Sequence, residues 1–143
     1  MKKISILAAI LIAFAFFSGC SRQYYDYDEM KESVEKVEIV EVRNYVWAQN
    51  LDMQDIIVKK ALSSEETDEL LIQLSKMSYV HPFGDPRGLH GICIKFFYKD
   101  NRIEILGSQA VRFYNAEGNY DGGESRSFRG DGYNDLISKF LRI

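Results

Sequence analysis

The sequence predicts an α+β domain with one antiparallel sheet of about five strands and two helices, in the order ββαβββα. Two runs rich in β-branched residues, VEIVEV at 37–42 and DIIVKKAL at 55–62, are typical of strands. Two other segments repeat their apolar residues at helical spacing, and short turn sequences separate three further strands. Residues 34–143 are therefore expected to form a single domain.

The first predicted helix begins at a capping box. Ser63 or Ser64 is the capping residue, and Glu66 lies three residues after Ser63, where its carboxylate can accept from the backbone of that serine. The apolar stripe of this helix consists of Leu70, Leu71, Leu74 and Met77. The stripe of the last predicted helix consists of Tyr133, Leu136, Ile137, Phe140 and Leu141. One apolar face on each helix predicts packing against the sheet.

Three consecutive strands are predicted between the helices, over 91–99, 102–107 and 110–115. A tight two-residue turn at Asp100-Asn101 is expected to join the first pair. A three-residue turn over 107–109 is expected to join the second pair. These turn lengths determine which side chains share a face of the sheet.

In this register Glu104 lies opposite Arg112, while Ile103 lies opposite Tyr98 and Phe113. The isoleucine side is apolar and is expected to face a helix. The other face mixes cationic and aromatic residues: Lys95, Phe97, Arg102, Glu104, Arg112 and Tyr114. Such a mixture is typical of a protein-binding patch. A half-solvated face with cross-strand charge pairs, or a face covered by the last helix, are the alternatives.

The loop SYVHPFGDPRGLHG is the candidate for chemistry, because it contains both histidines of the chain. His81 and His90 bracket Asp85 and Arg87, and histidine with aspartate could ligate a metal or transfer protons. The spacing matches no known ligand pattern, and the sequence lacks the G-x-S-x-G, H-E-x-x-H, Walker and C-x-x-C signatures. No metal site or cofactor is predicted, and a small envelope hydrolase is the alternative function.

The N-terminus has the pattern of an export signal. Lys2 and Lys3 precede an apolar run over 4–17, which is short for a membrane span but suits a signal peptide. The sequence Phe17-Ser18-Gly19-Cys20 that follows resembles the lipobox of bacterial lipoprotein precursors. The resemblance implies removal of residues 1–19, acylation of Cys20 and anchoring at the outer face of the cell membrane or an outer-membrane leaflet. Ordinary cleavage after the A-x-A sequence at 13–15 is the rival interpretation.

Composition limits the partners of the exported chain. The net charge of −3 becomes −5 when residues 1–19 are removed, because that segment contains two lysines and no acid. An acidic protein of this kind is not expected to bind nucleic acid. Of the two cysteines, Cys20 is assigned to lipidation and Cys93 to an apolar strand, so no disulfide is expected.

Residues 20–33, the lipidated cysteine and the charged segment after it, are expected to be a spacer. Thirteen extended residues after Cys20 would reach roughly 45 Å. Tyr24, Tyr25 and Tyr27 are either part of that spacer or an aromatic belt at the membrane interface. The resulting hypothesis is a non-enzymatic domain, held at a membrane, that binds a protein or an envelope component.

Overall fold

The computed structural model describes residues 22–46, 48–82 and 88–142, in which three helices and eight strands form. The helices are α1 (Tyr27–Ser33), α2 (Ser64–Ser75) and α3 (Gly132–Leu141). The first four strands are β1 (Val34–Val46), β2 (Ile56–Ala61), β3 (Tyr79–Val80) and β4 (Leu89–Tyr98). The others are β5 (Ile103–Leu106), β6 (Ala110–Tyr114), β7 (Tyr120–Ser125) and β8 (Ser127–Phe128). A 3₁₀ turn over Leu51–Met53 precedes β2.

Six strands form one antiparallel sheet in the order β2-β1-β4-β5-β6-β7, and β3 pairs with β8 in a separate two-stranded sheet. The α+β class is thus confirmed. The main sheet has one strand more than predicted, and the described residues contain one helix more, because segments expected to be irregular form α1 and β7.

Helices α2 and α3 cover one face of the sheet. The capping box of α2 is confirmed, with Ser63 accepting from Glu66 N–H and the Glu66 carboxylate accepting from Ser63 N–H. A buried row crosses the sheet beneath the helices: Ile39, Ile94, Leu106 and Val111. The helices bury their predicted stripes against it: Leu70, Leu71 and Leu74 from α2, and Tyr133, Leu136, Ile137 and Phe140 from α3. We call this side the helix-covered face.

The opposite side of the sheet, which we call the second face, has a smaller core of its own. Its buried residues are Val40, Val42, Leu89, Cys93, Ile105, Ala110 and Tyr114. Leu51 and Ile56 pack against them. Cys93 is a free thiol here, and burial raises its pKa to about 12, so it acts as a small apolar core residue.

The predicted register of the three central strands is wrong by one residue at both turns. The first turn has three residues, since Tyr98 pairs with Arg102 and Asn101 adopts a positive φ of 71°. The second has two, since Gly107 N–H donates to Ala110 O. Strand β5 is therefore shifted against both neighbours, and Glu104 lies on the helix-covered face.

The segment after Cys20 also differs from its expected form as a spacer. Gln23 and Tyr79 exchange two backbone hydrogen bonds, of 2.8 and 2.9 Å, and Arg22 donates to the hydroxyl of Ser78. Asp26 then caps α1 by accepting from Glu29 N–H. Met30 is the one buried residue of this short helix. The sequence therefore has no apolar stripe here that would predict a helix.

Candidate functional site

Arg126 lies between β7 and β8, and only 9% of its side chain is exposed. Its Nε and Nη2 both donate to Glu124 Oε1, at 2.9 and 2.5 Å. Its Nη1 donates to the hydroxyl oxygen of Tyr25 and lies 3.6 Å from Glu104 Oε1. A planar guanidinium suits this place, because its fixed fork of donors serves several acceptors at once.

Glu104 is the second buried charge of this cluster. Its Oε1 accepts from the Tyr25 hydroxyl at 2.9 Å, and its Oε2 accepts from the Tyr98 hydroxyl at 2.7 Å. A carboxylate is stable inside a protein only when it is paired and hydrogen-bonded, and the two hydroxyls and Arg126 meet that condition. We call these five residues the Arg126 network: Arg126, Glu104, Glu124, Tyr25 and Tyr98.

Aromatic rings enclose the guanidinium of Arg126. Its Cζ lies 5.2 Å from the ring centroid of Tyr25, 4.7 Å from that of Tyr79 and 5.9 Å from that of Phe113. A desolvated cation over such ring faces gains about 2 kcal/mol. The guanidinium of Arg126, in the β7–β8 connection, therefore contacts three other parts of the chain: the segment around Tyr25, β3 and β6.

The surroundings of Tyr25, Tyr98 and Arg126 shift the pKa values of these three groups. Burial raises the pKa of the Tyr25 hydroxyl well above its usual value, and the adjacent Glu104 carboxylate adds to the rise. The same two causes, in the same order, raise the pKa of Tyr98. Burial by itself lowers the pKa of Arg126, but Tyr25, Glu124 and Glu104 together raise it. Both tyrosines are thus held neutral as hydrogen-bond donors.

A pocket of about 490 Å³ adjoins the network. Its aromatic lining comprises Tyr24, Tyr25, Tyr79, Tyr98, Phe113 and Tyr114. Its charged lining comprises Asp26, Glu29, Arg102, Glu104 and Asp121. We call this cavity the tyrosine pocket. It takes residues from the segment just after Cys20, from the hairpin after β4 and from β7, so it forms only when those segments are folded together.

The predicted binding face is divided between the two sides of the sheet. Lys95, Phe97, Arg112 and Tyr114 share the second face, while Glu104 lies on the helix-covered face. Arg102 stacks with its guanidinium 5.4 Å from the Tyr98 ring and forms an ion pair with Asp100. The six residues therefore do not form one surface.

Arg112 is buried rather than solvated, with 2% of the residue exposed. Helix α3 does not cover it, because α3 packs on the other face. The backbone of Gly123 on β7 lies directly against it, and a Cβ there would come within 2.6 Å of Arg112 Cδ. Tyr114 is equally buried, and its hydroxyl accepts from Gln54 Nε2 at 2.6 Å. Of the predicted set on the second face, only Lys95 and Phe97 remain partly exposed.

The two histidines of the predicted loop site have different surroundings. His81 Nδ1 lies 3.1 Å from Ser125 O and 3.4 Å from Glu124 Oε2. His90 is exposed and lines a groove beside α3. Asp85 and Arg87 lie outside the described residues. In the part of the chain that the structure describes, no three His, Cys, Asp or Glu residues are grouped to hold a metal.

The sequence patterns did not single out Arg126, the residue at the centre of this network. It stands in ESRSF, within a stretch expected to be irregular, and its partner Tyr25 lies 101 residues earlier. The alternation of Glu124, Arg126 and Phe128 was the available signal, since these residues point to one side of an extended chain. Because no strand was predicted there, these alternating residues could not be assigned to a face of the sheet.

No protein-family model, curated protein or solved structure matches the chain. Among the described residues, no helix is long and apolar enough to cross a membrane. The site is therefore interpreted from its own geometry.

Proposed function

We propose that the chain is an exported lipoprotein, anchored through an acylated Cys20, whose domain binds a ligand in the tyrosine pocket. The position of the pocket is the main observation that supports this proposal. Tyr24, Tyr25 and Asp26, which line it, follow the lipobox-like sequence within six residues. The same short segment that would connect the domain to the lipid thus forms part of the pocket.

Anchor and domain would lie close together. Gln23 is fixed to Tyr79 by two backbone hydrogen bonds, and only three residue steps separate it from Cys20. At about 3.3–3.6 Å per residue, that connection spans roughly 11 Å at most. A lipid on Cys20 would hold this end of the domain at the headgroup layer, and the tyrosine pocket would be near the membrane surface.

The chemistry of the site supports binding rather than catalysis. The carboxylates of Glu104 and Glu124 are engaged with Arg126, and the two network hydroxyls donate to Glu104. A general base must be within reach of the proton that it removes from a substrate. The network groups instead stabilise each other and shape a cavity of a size typical of ligand sites.

The anchor is tested by mass spectrometry of the protein purified from membranes. We expect a mature N-terminus at Cys20 carrying a diacylglyceryl group, and we expect Cys20→Ser to abolish that species. Cys93→Ala is the matched control and is expected to keep the lipid. A mature N-terminus at Phe16 in the wild-type protein would refute the lipoprotein assignment.

A further inference from the structure

The walls of the tyrosine pocket are aromatic and acidic at the same time. Four carboxylates line the pocket, those of Asp26, Glu29, Glu104 and Asp121, and one guanidinium, that of Arg102. Glu104 is paired with Arg126 beside the pocket, so the other three carboxylates and Arg102 leave the lining with a net charge of −2 when all of these groups are ionised. The side chain of Arg102 is in addition paired with Asp100 at 2.6 Å, outside the lining. An anionic ligand would be repelled by such walls.

Two rings of the pocket are already in contact with arginines of the chain itself, so the aromatic surface of this region is suited to cations. Arg102 lies 5.4 Å from the Tyr98 centroid, and Arg126 lies 5.2 Å from the Tyr25 centroid. Tyr24, with 59% of its surface exposed, places a further ring at the rim of the pocket. Attraction between ring faces and organic cations is the interaction by which proteins recognise quaternary ammonium groups.

A metal ion fits this lining poorly. A hard cation requires several oxygen ligands that converge within about 2.6 Å. No such group of acidic side chains occurs among the described residues. Carboxylates spread around aromatic walls suit a large, weakly hydrated cation, which needs charge neutralisation and contact area rather than direct coordination.

We infer that the tyrosine pocket binds an organic ammonium ion. This inference rests on the binding role proposed above and names its ligand class. The ammonium group enters at the rim, beside the exposed ring of Tyr24, with Asp26, Glu29 and Asp121 neutralising its charge. The volume of about 490 Å³ accommodates a small amine or the ammonium headgroup of a lipid.

The test uses the full-length lipidated protein in phosphatidylglycerol nanodiscs, with isotope-labelled tyrosine rings observed by NMR. Choline chloride is titrated against 3,3-dimethyl-1-butanol, which has the same shape without the charge. We expect saturable shifts of the pocket tyrosines with choline, and binding about tenfold weaker for the neutral analogue. Equal binding of the two compounds, or no saturable shift with choline, would overturn the inference.

A matched pair of variants locates the binding. Asp121→Asn removes an exposed carboxylate of the pocket and is expected to weaken choline binding about threefold. Asp135→Asn removes an exposed carboxylate on α3, outside the lining, and is expected to leave choline binding unchanged. If the two variants weaken binding equally, choline responds only to overall charge and the pocket assignment is wrong.

The source of the ammonium group is resolved by repeating the titration in discs that contain phosphatidylethanolamine. A lower apparent affinity for choline there identifies the lipid headgroup as a competitor, whereas an unchanged affinity identifies a soluble ligand. Mass spectrometry shows whether Cys20 carries a lipid, so the anchor and the ligand class are tested by separate measurements. A lipidated protein that fails to bind choline overturns the ligand class only, and choline binding by a protein without lipid overturns the anchor only.

Discussion

Glu104 shows how one side chain connects the fold with the site. It lies in β5 on the helix-covered face, accepts from two tyrosine hydroxyls and pairs with Arg126. Its neighbours across the sheet are Phe96 and Phe113, so apolar rings flank its side chain on both sides. A buried charge that loses its partner is costly, because neither water nor another ion replaces the lost interaction.

Glu104→Gln is therefore expected to lower the free energy of unfolding by about 2 kcal/mol, because two tyrosine hydroxyls would lose a charged acceptor and Arg126 would keep only the more exposed Glu124 as its partner. The measurement is urea denaturation followed by circular dichroism. Glu41→Gln, which breaks an exposed pair with Lys59, is the matched control and should change little. Equal effects of the two substitutions would show that Glu104 does not stabilise Arg126.

The turns that join β4, β5 and β6 decide which residues reach the network. Apolar and charged residues alternate in these strands, so either register gives a plausible pattern. Moving one residue from the second turn to the first transfers Glu104 from one face to the other. The sequence predicted these three strands and helices α2 and α3, because periodicity and capping are local signals. It did not predict the register, because turn length depends on the backbone conformation of Asn101.

Asn101 provides a test at the level of this hairpin. It has a positive φ, which asparagine and glycine tolerate better than other residues. Asn101→Ala is expected to lower the free energy of unfolding by about 1 kcal/mol, while Asn101→Gly is expected to preserve it. Chemical denaturation of the two variants gives the comparison. If alanine proved as stable as glycine, the three-residue turn would be incorrect.

At the scale of the whole molecule, contacts between residues far apart in the sequence could not be predicted from sequence patterns. Arg126 meets Tyr25, and Tyr27 hydrogen-bonds Asp68 on α2, so the segment after Cys20 belongs to the domain. Its tyrosines follow no helical or alternating period, because only Met30 in α1 is fully buried. Their role follows from tertiary packing alone.

Global stability is expected to decline at alkaline pH. The pKa of Tyr25 and that of Tyr98 are raised in the folded protein, chiefly by burial, so the folded state retains protons that the unfolded chain releases. Their contribution is complete below about pH 10 and is lost above it, by about 1.4 kcal/mol per pH unit for each tyrosine. Cys93 adds a similar loss between about pH 9 and its folded-state pKa of about 12.

The check is a series of denaturation curves between pH 8 and 11.5. Tyr98→Phe should show a shallower fall of stability above about pH 10 than the wild-type protein. Tyr24→Phe, at an exposed tyrosine, serves as the matched control. A wild-type protein whose stability is constant to pH 11.5 would contradict the buried, neutral state of the network tyrosines.

The bridge between Gln23 and Tyr79 has a mechanical consequence. If the domain is held through Cys20, any force between the membrane and a captured ligand acts first on the bond from Arg22 to Ser78 and on these two backbone hydrogen bonds. An isolated bridge yields before a six-stranded sheet, because opening it breaks few contacts. The next residues under load are Tyr24, Tyr25 and Asp26, which line the pocket. Tension would thus open the pocket and release its ligand at a force lower than the force that unfolds the sheet.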